Sequence, residues 1–437
     1  MSGPIKPDRS EAVFEDFKQP LDATGAVAEA NRCLFCYDAP CIQACPTGID
    51  IPEFIRKIGT GNTRGSAKTI LDSNILGMSC ARVCPVEVLC EGDCVYNDLD
   101  APPIKIGKLQ RFATDQAYDA GWTYYEAGPD TGRSVGLIGG GPASLAAAHR
   151  LRMHGHAVTL YDKRPQLGGL NTTGVAPYKM RADRAMEEVD WVLSIGGIDV
   201  QTGVSVPDDV SWEDMEARHD AVLLGMGLGA DSHLDVPGSD LEGIEGAVAF
   251  IERMKLGQVD LADAGRVLVL GGGNTAVDMV RELLGLGVAH VEMVYRGTEA
   301  RMSGYAHEWK IGKQDGAKVT WGAQPIGYEG RDGRVTGVRC VQLDGDRQPI
   351  EGSEHVIAGD RVLLAVGQAK LGELVAGLEG VELSWGRVVT DEVGATGRPG
   401  VYAAGDCRNG GKEVVNAVAE GRDAAEAIHA YLSRGDA

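Results

Sequence analysis

Three observations predict an α/β chain behind a helical N-terminal module. Eight of the ten cysteines fall within residues 33–94. Two Gly-Gly-Gly turns, Gly139-Gly140-Gly141 and Gly271-Gly272-Gly273, each follow an apolar strand and open a helix. A late segment, Gly400-Val-Tyr-Ala-Ala-Gly-Asp406, reads as a strand and tight turn that completes the first of these folds. The predicted architecture is a helical iron–sulfur module followed by two Rossmann-like dinucleotide-binding domains, the second inserted in the first.

The 437 residues suffice for about three domains. A hydrophobic fraction of 43% with 61 glycines fits globular α/β structure rich in tight turns. A formal net charge of −21 speaks against nucleic acid and against a polybasic membrane patch. Residues Met1 to Pro20 carry no apolar leader, and no run approaches the length of a membrane span. Clustered cysteines at metal-ligand spacing, without a secretory signal, place the chain in a reducing cytoplasm.

In chain order, Glu11–Phe17, Ile51–Ile58 and Ile104–Ala117 read as short helices of the cysteine module. The stretch from Glu126 to Arg133 is a linker. A buried strand, Val135–Ile138, then runs into the first glycine turn, a helix to about Met153, and a second strand, Ala157–Tyr161, ending at Asp162. The pattern repeats about 130 residues later with Val267–Leu270, the second turn and Val291–Tyr295. Alternating strands follow from Val319 to Val356, and a helix over Glu413–Arg434 closes the chain.

The cysteine spacing is Cys33-x2-Cys36-x4-Cys41-x3-Cys45-Pro46, then Cys80-x3-Cys84-Pro85-x5-Cys90-x3-Cys94. Eight thiolates can hold two four-iron clusters. By analogy with ferredoxins, Cys33, Cys36 and Cys41 share one cluster and Cys45 crosses to the other. Tetrahedral zinc also uses C-x2-C pairs, but two Cys-Pro junctions with x3 spacing match the iron–sulfur pattern better. Cys340 reads as an ordinary buried thiol.

At the first glycine turn, Gly139 permits the bend, Gly141 lets a pyrophosphate approach the start of the helix, and Ser144 stands where a third glycine is usual. Pro142 and Ala143 complete the turn. Asp162 ends the second strand, where a carboxylate pairs with ribose hydroxyls and disfavours a 2′-phosphate, which suits FAD. At the second turn, Gly271, Gly273, Asn274 and Thr275 cradle a nucleotide, with Ala276 as the third small residue. Arg296 stands where an NAD site carries an acid and so fits the 2′-phosphate of NADPH, with Arg301 as a second positive charge. A solvated surface arginine is the plainer reading of Arg296. Asp406 suits a flavin ribityl chain, and read alone it is equally an N-cap or turn aspartate. The expected division is 1–130 for the helical domain with two [4Fe-4S] clusters, 131–243 and 358–437 for the FAD-binding domain, and 244–357 for the NAD(P)H-binding domain.

The runs Arg32-Cys-Leu-Phe-Cys36, Ala39-Pro-Cys41, Cys45-Pro-Thr-Gly-Ile-Asp-Ile51 and Cys84-Pro85 to Cys94 resemble the N-terminal module shared by dihydropyrimidine dehydrogenase and the glutamate synthase small subunit. The resemblance continues through Gly139-Gly-Gly-Pro-Ala-Ser144, Gly168-Gly-Leu170, Gly271 to Asp278, Ala365-Val-Gly-Gln368 and Asn409 to Gly421. It implies Cys33, Cys36, Cys41 and Cys94 on one cluster, and Cys45, Cys84, Cys90 and Gln110 on the other, with Cys80 nearby and unliganded. It also extends the FAD set to Gly169, Leu170, Lys179 and Gly405, and the nucleotide set to Gly367. Gln110 favours the pyrimidine enzyme, because the glutamate synthase subunit tends to carry glutamate there. The sequence departs from the family at Gly297, usually a second Arg or Lys, at Met302-Ser303, usually Met-Pro, and at Asp162, usually Glu; with Gly297 in place, NADH remains possible beside NADPH.

What the resemblance implies is the NAD(P)H-oxidising subunit of a bacterial two-chain dihydropyrimidine dehydrogenase. Hydride passes to FAD, with no side chain assigned as catalytic. Single electrons pass through the clusters to a partner carrying FMN and iron–sulfur centres. The alternative is the same relay feeding glutamate synthase or another ferredoxin-linked NADP oxidoreductase.

Overall fold

The computed structural model describes residues 6–434. Short helices capped by their own sequence build the cysteine module. Asp22 accepts from Gly25 N–H at 2.6 Å to start Ala23–Ala30, Asp50 from Glu53 N–H at 3.0 Å to start Ile51–Gly59, and Asn62 from Gly65 N–H at 2.9 Å to start Thr63–Ser73. Helices Gly77–Val83 and Ile106–Asp119 complete it, around a core that includes Phe54, Ile55, Ile58, Ile70 and Leu109. Burying each of these side chains contributes about 1.5–3 kcal/mol.

The helix expected over Glu11–Phe17 is reduced to one 3-10 turn, Ser10–Val13. Long-range partners replace the local ladder. The buried Glu11 carboxylate accepts from Ala182 N–H at 3.1 Å, and Phe17 N–H donates to Tyr178 O at 2.7 Å.

Two parallel five-stranded sheets follow, alike in their central strands and different in the edge strand, which comes last in sequence in the first sheet and first in the second. In the first, Val401–Ala403, Ala221–Leu224, Ser134–Ile138, Ala157–Asp162 and Ile198–Thr202 lie side by side. In the second the order is Ile244–Gly246, Arg361–Leu364, Arg266–Leu270, His290–Tyr295 and Lys318–Trp321. The central strand of each runs into a glycine turn. Because the second sheet lies in sequence between strands 221–224 and 401–403 of the first, the insertion is confirmed. Its end is corrected: strand Arg361–Leu364 belongs to the second sheet, so the boundary at 357/358 comes too early. A three-stranded antiparallel sheet, Ala323–Arg331, Arg334–Gln342 and His355–Ala358, is appended to the second unit. Helix Val414–Ser433 closes the first unit, packed on helix Pro142–Met153. No helix among the described residues is long and apolar enough to cross a membrane.

Candidate functional site

Cys33, Cys36, Cys41 and Cys94 line one small pocket of about 30 Å³, walled by Leu34, Ile51, Ile55, Ile104 and Ile106. These are the four residues that the family resemblance assigns to one cluster. The Cys33 N–H donates to Ala30 O at the end of the first helix, Cys41 rides on the turn Pro40–Gln43, and Cys94 N–H donates to Glu91 O. Burial pushes the Cys41 thiol up to about 12, and Cys33, Cys94 and Cys36 add to the rise. The Cys33 thiol is raised by burial, with Cys36 and Cys94 contributing. Cys33 and Cys41 thus sit as raised thiols in an apolar pocket with Cys36 and Cys94, thiols of the type an iron–sulfur cluster takes as thiolates. Among the described residues, no three such side chains are drawn together tightly enough to hold a metal ion as they stand.

Cys84 and Cys90 pack with Cys80, Val86 and Val415, and with Cys45, Leu89 and Val414 at the edge. The Cys84 thiol is held well above its ordinary value by a hydrogen bond with Cys80, then by burial. The Cys90 thiol is raised by burial, then by Cys84, Glu91 and Cys45. Gln110 is 7% exposed on the adjoining helix; its Nε2 donates to Gly77 O at 2.7 Å, which leaves the amide oxygen as a donor atom for a metal. Cys80, expected nearby, is inside this group and against Cys84. Lys18 Nζ donates to Cys84 O at 2.6 Å. The ten cysteines form no disulfide.

The first glycine turn is a backbone cradle. Gly139, at φ 92°, has no room for a side chain, since a Cβ would lie 2.5 Å from Gly225 O. Gly141 caps helix Pro142–Met153, and a Cβ on Gly169 would meet Gly141 Cα at 2.9 Å. Leu170 opens the next short helix. Ser144, in place of a third glycine, is fully buried and fits because residue 225 is itself glycine. Asp162 accepts from Gly140 N–H at 2.6 Å and Arg164 N–H at 2.7 Å, and burial raises its carboxyl despite these donors. Gly405 stands against Ala143. Asp406 follows, its carboxyl pushed up to about 6 by burial, with Glu420 and Glu413 adding to the rise. The structure therefore gathers Gly139, Gly141, Pro142, Ala143, Gly169, Leu170, Gly405 and Asp406 at one end of the first sheet. This cradle, which a Cβ would fill, fits a dinucleotide.

Lys179 does not stand free to serve a flavin. Its Nζ is held by Asp278 at 2.9 Å and Glu308 at 2.8 Å, both on the second unit. Burial alone would lower its pKa, but the two carboxylates outweigh that and raise it.

At the second turn, Gly273 caps helix Asn274–Gly285, with Thr275 in its first turn. Asn274 Oδ1 accepts from Tyr305 N–H at 2.9 Å. Arg296 is exposed at the end of strand His290–Tyr295, and no ion pair holds it among the described residues. Arg301 is exposed too, with a long hydrogen bond of 3.5 Å to Gly345 O. At Gly297, where a basic residue is missing, a Cβ would lie 2.5 Å from the Tyr295 ring, so a side chain there requires that ring to shift. Gly367, at φ 112°, follows the strand beside the turn.

Sequence reasoning missed several residues that join the parts. Lys255, wholly buried, donates to Asn171 O, Val175 O and Met180 O at 2.8–3.1 Å. Glu188 and Tyr305 make links of the same kind. Each bonds across more than a hundred residues of sequence, where no local pattern signals it.

A cysteine-lined pocket and a second cysteine cluster, beside two glycine-turn dinucleotide cradles, fit the class of iron–sulfur pyridine-nucleotide oxidoreductases. Comparison with known proteins agrees. Residues 9–122 match the family described as dihydropyrimidine dehydrogenase domain II, 4Fe-4S cluster, and residues 133–421 match pyridine nucleotide-disulphide oxidoreductase. The chain is 36% identical over 407 residues to the NAD-dependent dihydropyrimidine dehydrogenase subunit PreT of Escherichia coli (strain K12), covering 93% of this chain and 94% of that one. It is 32% identical to the glutamate synthase [NADPH] small chain of the same organism, covering 98% and 96%. Thioredoxin reductase of T. acidophilum shares the fold, with a TM-score of 0.56 at 23% identity over 70% of this chain and 100% of that one. The chain belongs to the family of flavin and iron–sulfur NAD(P)H oxidoreductase subunits that includes PreT and the glutamate synthase small chain.

Proposed function

We propose that this chain is an electron-input subunit that oxidises NADPH at the second unit, carries FAD at the first, and feeds two [4Fe-4S] clusters leading to a partner chain. FAD, when bound, supplies the conversion from a two-electron donor to single-electron transfers. The chain's own residues supply position. Gly139, Gly141 and Gly169 open the backbone to a pyrophosphate, and Asp162 takes ribose hydroxyls. Gly273, Asn274 and Arg296 hold the nucleotide. Cys45, Cys84, Cys90 and Gln110 hold the cluster nearer the flavin unit, and Cys33, Cys36, Cys41 and Cys94 hold the other.

One observation carries this reading. The Cys84 and Cys90 group packs directly on Val414 and Val415, the first residues of the helix that closes the first dinucleotide unit. In this reading the iron site and the flavin-binding unit meet at that helix.

The partner in this reading is an FMN- and iron–sulfur-containing subunit that reduces uracil or thymine to the 5,6-dihydropyrimidine in the cytoplasm. The close similarity to PreT favours it. A large glutamate-forming partner is the second reading, favoured by the 98% coverage against the glutamate synthase small chain. Affinity purification from the native cell separates them by the chain recovered. The isolated subunit should reduce artificial acceptors with NAD(P)H and leave uracil untouched; conversion of uracil by this chain alone overturns the two-chain reading.

A further inference from the structure

The segment Ser303 to Glu308 of the second unit touches the nucleotide turn, the first unit and the cysteine module. Gly304 N–H donates to Gly272 O at 3.0 Å, and Tyr305 N–H donates to Asn274 Oδ1 at 2.9 Å, so the segment rests on the nucleotide turn. The Tyr305 hydroxyl crosses to the first unit and donates to Glu413 Oε1 at 2.5 Å. Glu308 reaches Lys179 of the first unit. His307, stacked on the Tyr305 ring at 5.6 Å, brings Nε2 to 3.4 Å from Glu87 of the cysteine module. Glu413 directly precedes Val414 and Val415, which pack on Cys84 and Cys90.

Hydride transfer needs donor and acceptor atoms held about 3–3.5 Å apart and aligned, and a 1 Å error costs about a hundredfold. Ala176 and Tyr178 of the first unit share an apolar cluster with Phe250 and Met254 of the second, and two units in one chain still move relative to each other unless their interface is large and hydrophobic or a specific contact fixes them. A short hydroxyl–carboxylate bond is among the stronger single contacts available for this. Glu413 is a partly buried carboxyl raised by burial, and Tyr305 is the donor that opposes that rise most.

We propose that Tyr305 is a positioning residue for hydride transfer: through Glu413 it fixes the nucleotide turn in one orientation against the flavin-binding unit. The proposal rests on the functional reading above. It assigns the Tyr305–Glu413 bond to geometry between units, and nucleotide affinity to the turn and its arginine.

The test is anaerobic stopped-flow bleaching of the flavin by NADPH in the full holoprotein, for wild type, Tyr305→Phe, Glu413→Ala and Glu413→Gln. Tyr305→Phe keeps the ring and its stacking. The expected result is a rate at saturating NADPH lowered about ten- to a hundredfold, with the apparent Kd changed less than about threefold. Glu413→Ala should behave alike, and Glu413→Gln, which keeps the accepting oxygen, should restore most of the rate. Wild-type rates in Tyr305→Phe overturn the proposal. So does a loss confined to affinity, or an equal loss in Glu413→Gln and Glu413→Ala, which would point to charge rather than the bond. If the wild type itself is not bleached by either nucleotide, the functional reading fails first and takes the proposal with it.

Discussion

Glu188, on a helix of the first dinucleotide unit, caps the cysteine-bearing helix Gly77–Val83 from outside its own domain. Its carboxylate accepts from Met78 N–H at 2.9 Å, from Ser79 N–H at 3.2 Å and from the Ser79 hydroxyl. It is 1% exposed, and burial pushes its pKa up to about 7. The helix carrying Cys80 is therefore tied to the flavin-binding unit through one titrating group.

The sign of its pH dependence follows. Between the ordinary 4.5 and about 7, Glu188 is protonated in the folded chain and ionised in the unfolded one. Unfolding releases a proton in that window, so stability falls as pH rises through it, by about 2–4 kcal/mol in all. Glu188→Gln removes the titration. The melting temperature of wild type relative to Glu188→Gln should drop between about pH 5 and pH 7; a constant difference would contradict the assignment.

Lys255→Met should destabilise the chain by about 2–5 kcal/mol, because three buried carbonyls lose their only charged donor. All three lie on the first unit while Lys255 lies on the second, so the variant should also open the junction to proteolysis. Thermal denaturation and limited digestion check both effects, and an unchanged melting temperature would count against them.

Arg296→Ala should raise the KM for NADPH about tenfold or more and leave that for NADH nearly unchanged. Equal effects on both nucleotides would mean that Arg296 does not meet a 2′-phosphate.

Cys94→Ser and Cys84→Ser should each lower iron from about eight to about four atoms per chain, by emptying one four-iron site. Gln110→Ala should shift the electron paramagnetic resonance spectrum of the second cluster, since an oxygen ligand tunes it. Cys80→Ser should leave the iron content unchanged. Iron loss in Cys80→Ser with a normal Gln110→Ala spectrum would exchange their roles.

Local signals were legible in the sequence because they act over a few residues. Both glycine turns stand where backbone geometry demanded them, with Gly139 at φ 92° and Gly271 at φ 142°, and Asp162 ends the strand beside the first. The four cysteines that resemblance grouped line one pocket, although Cys94 lies far along the chain from Cys33, Cys36 and Cys41. Contacts chosen only by the folded chain were not legible. The turn at Glu11 is set by Ala182, the ion pairs of Lys179 by helices of the other unit, and the boundary near Leu364 by pairing with Val267–Leu270. Ser144 stands in place of a third glycine, and the residue that makes room for it, Gly225, becomes visible only once the strands are paired.

The central claim is that this chain divides a two-electron donor into single electrons and delivers them to iron. Anaerobic addition of NADPH to the purified subunit, followed at once by electron paramagnetic resonance and by flavin absorbance, tests it most directly. The account predicts flavin bleaching accompanied by signals of reduced iron–sulfur clusters. Bleached flavin with clusters that stay oxidised at every nucleotide concentration, or protein holding zinc in place of iron, would contradict it.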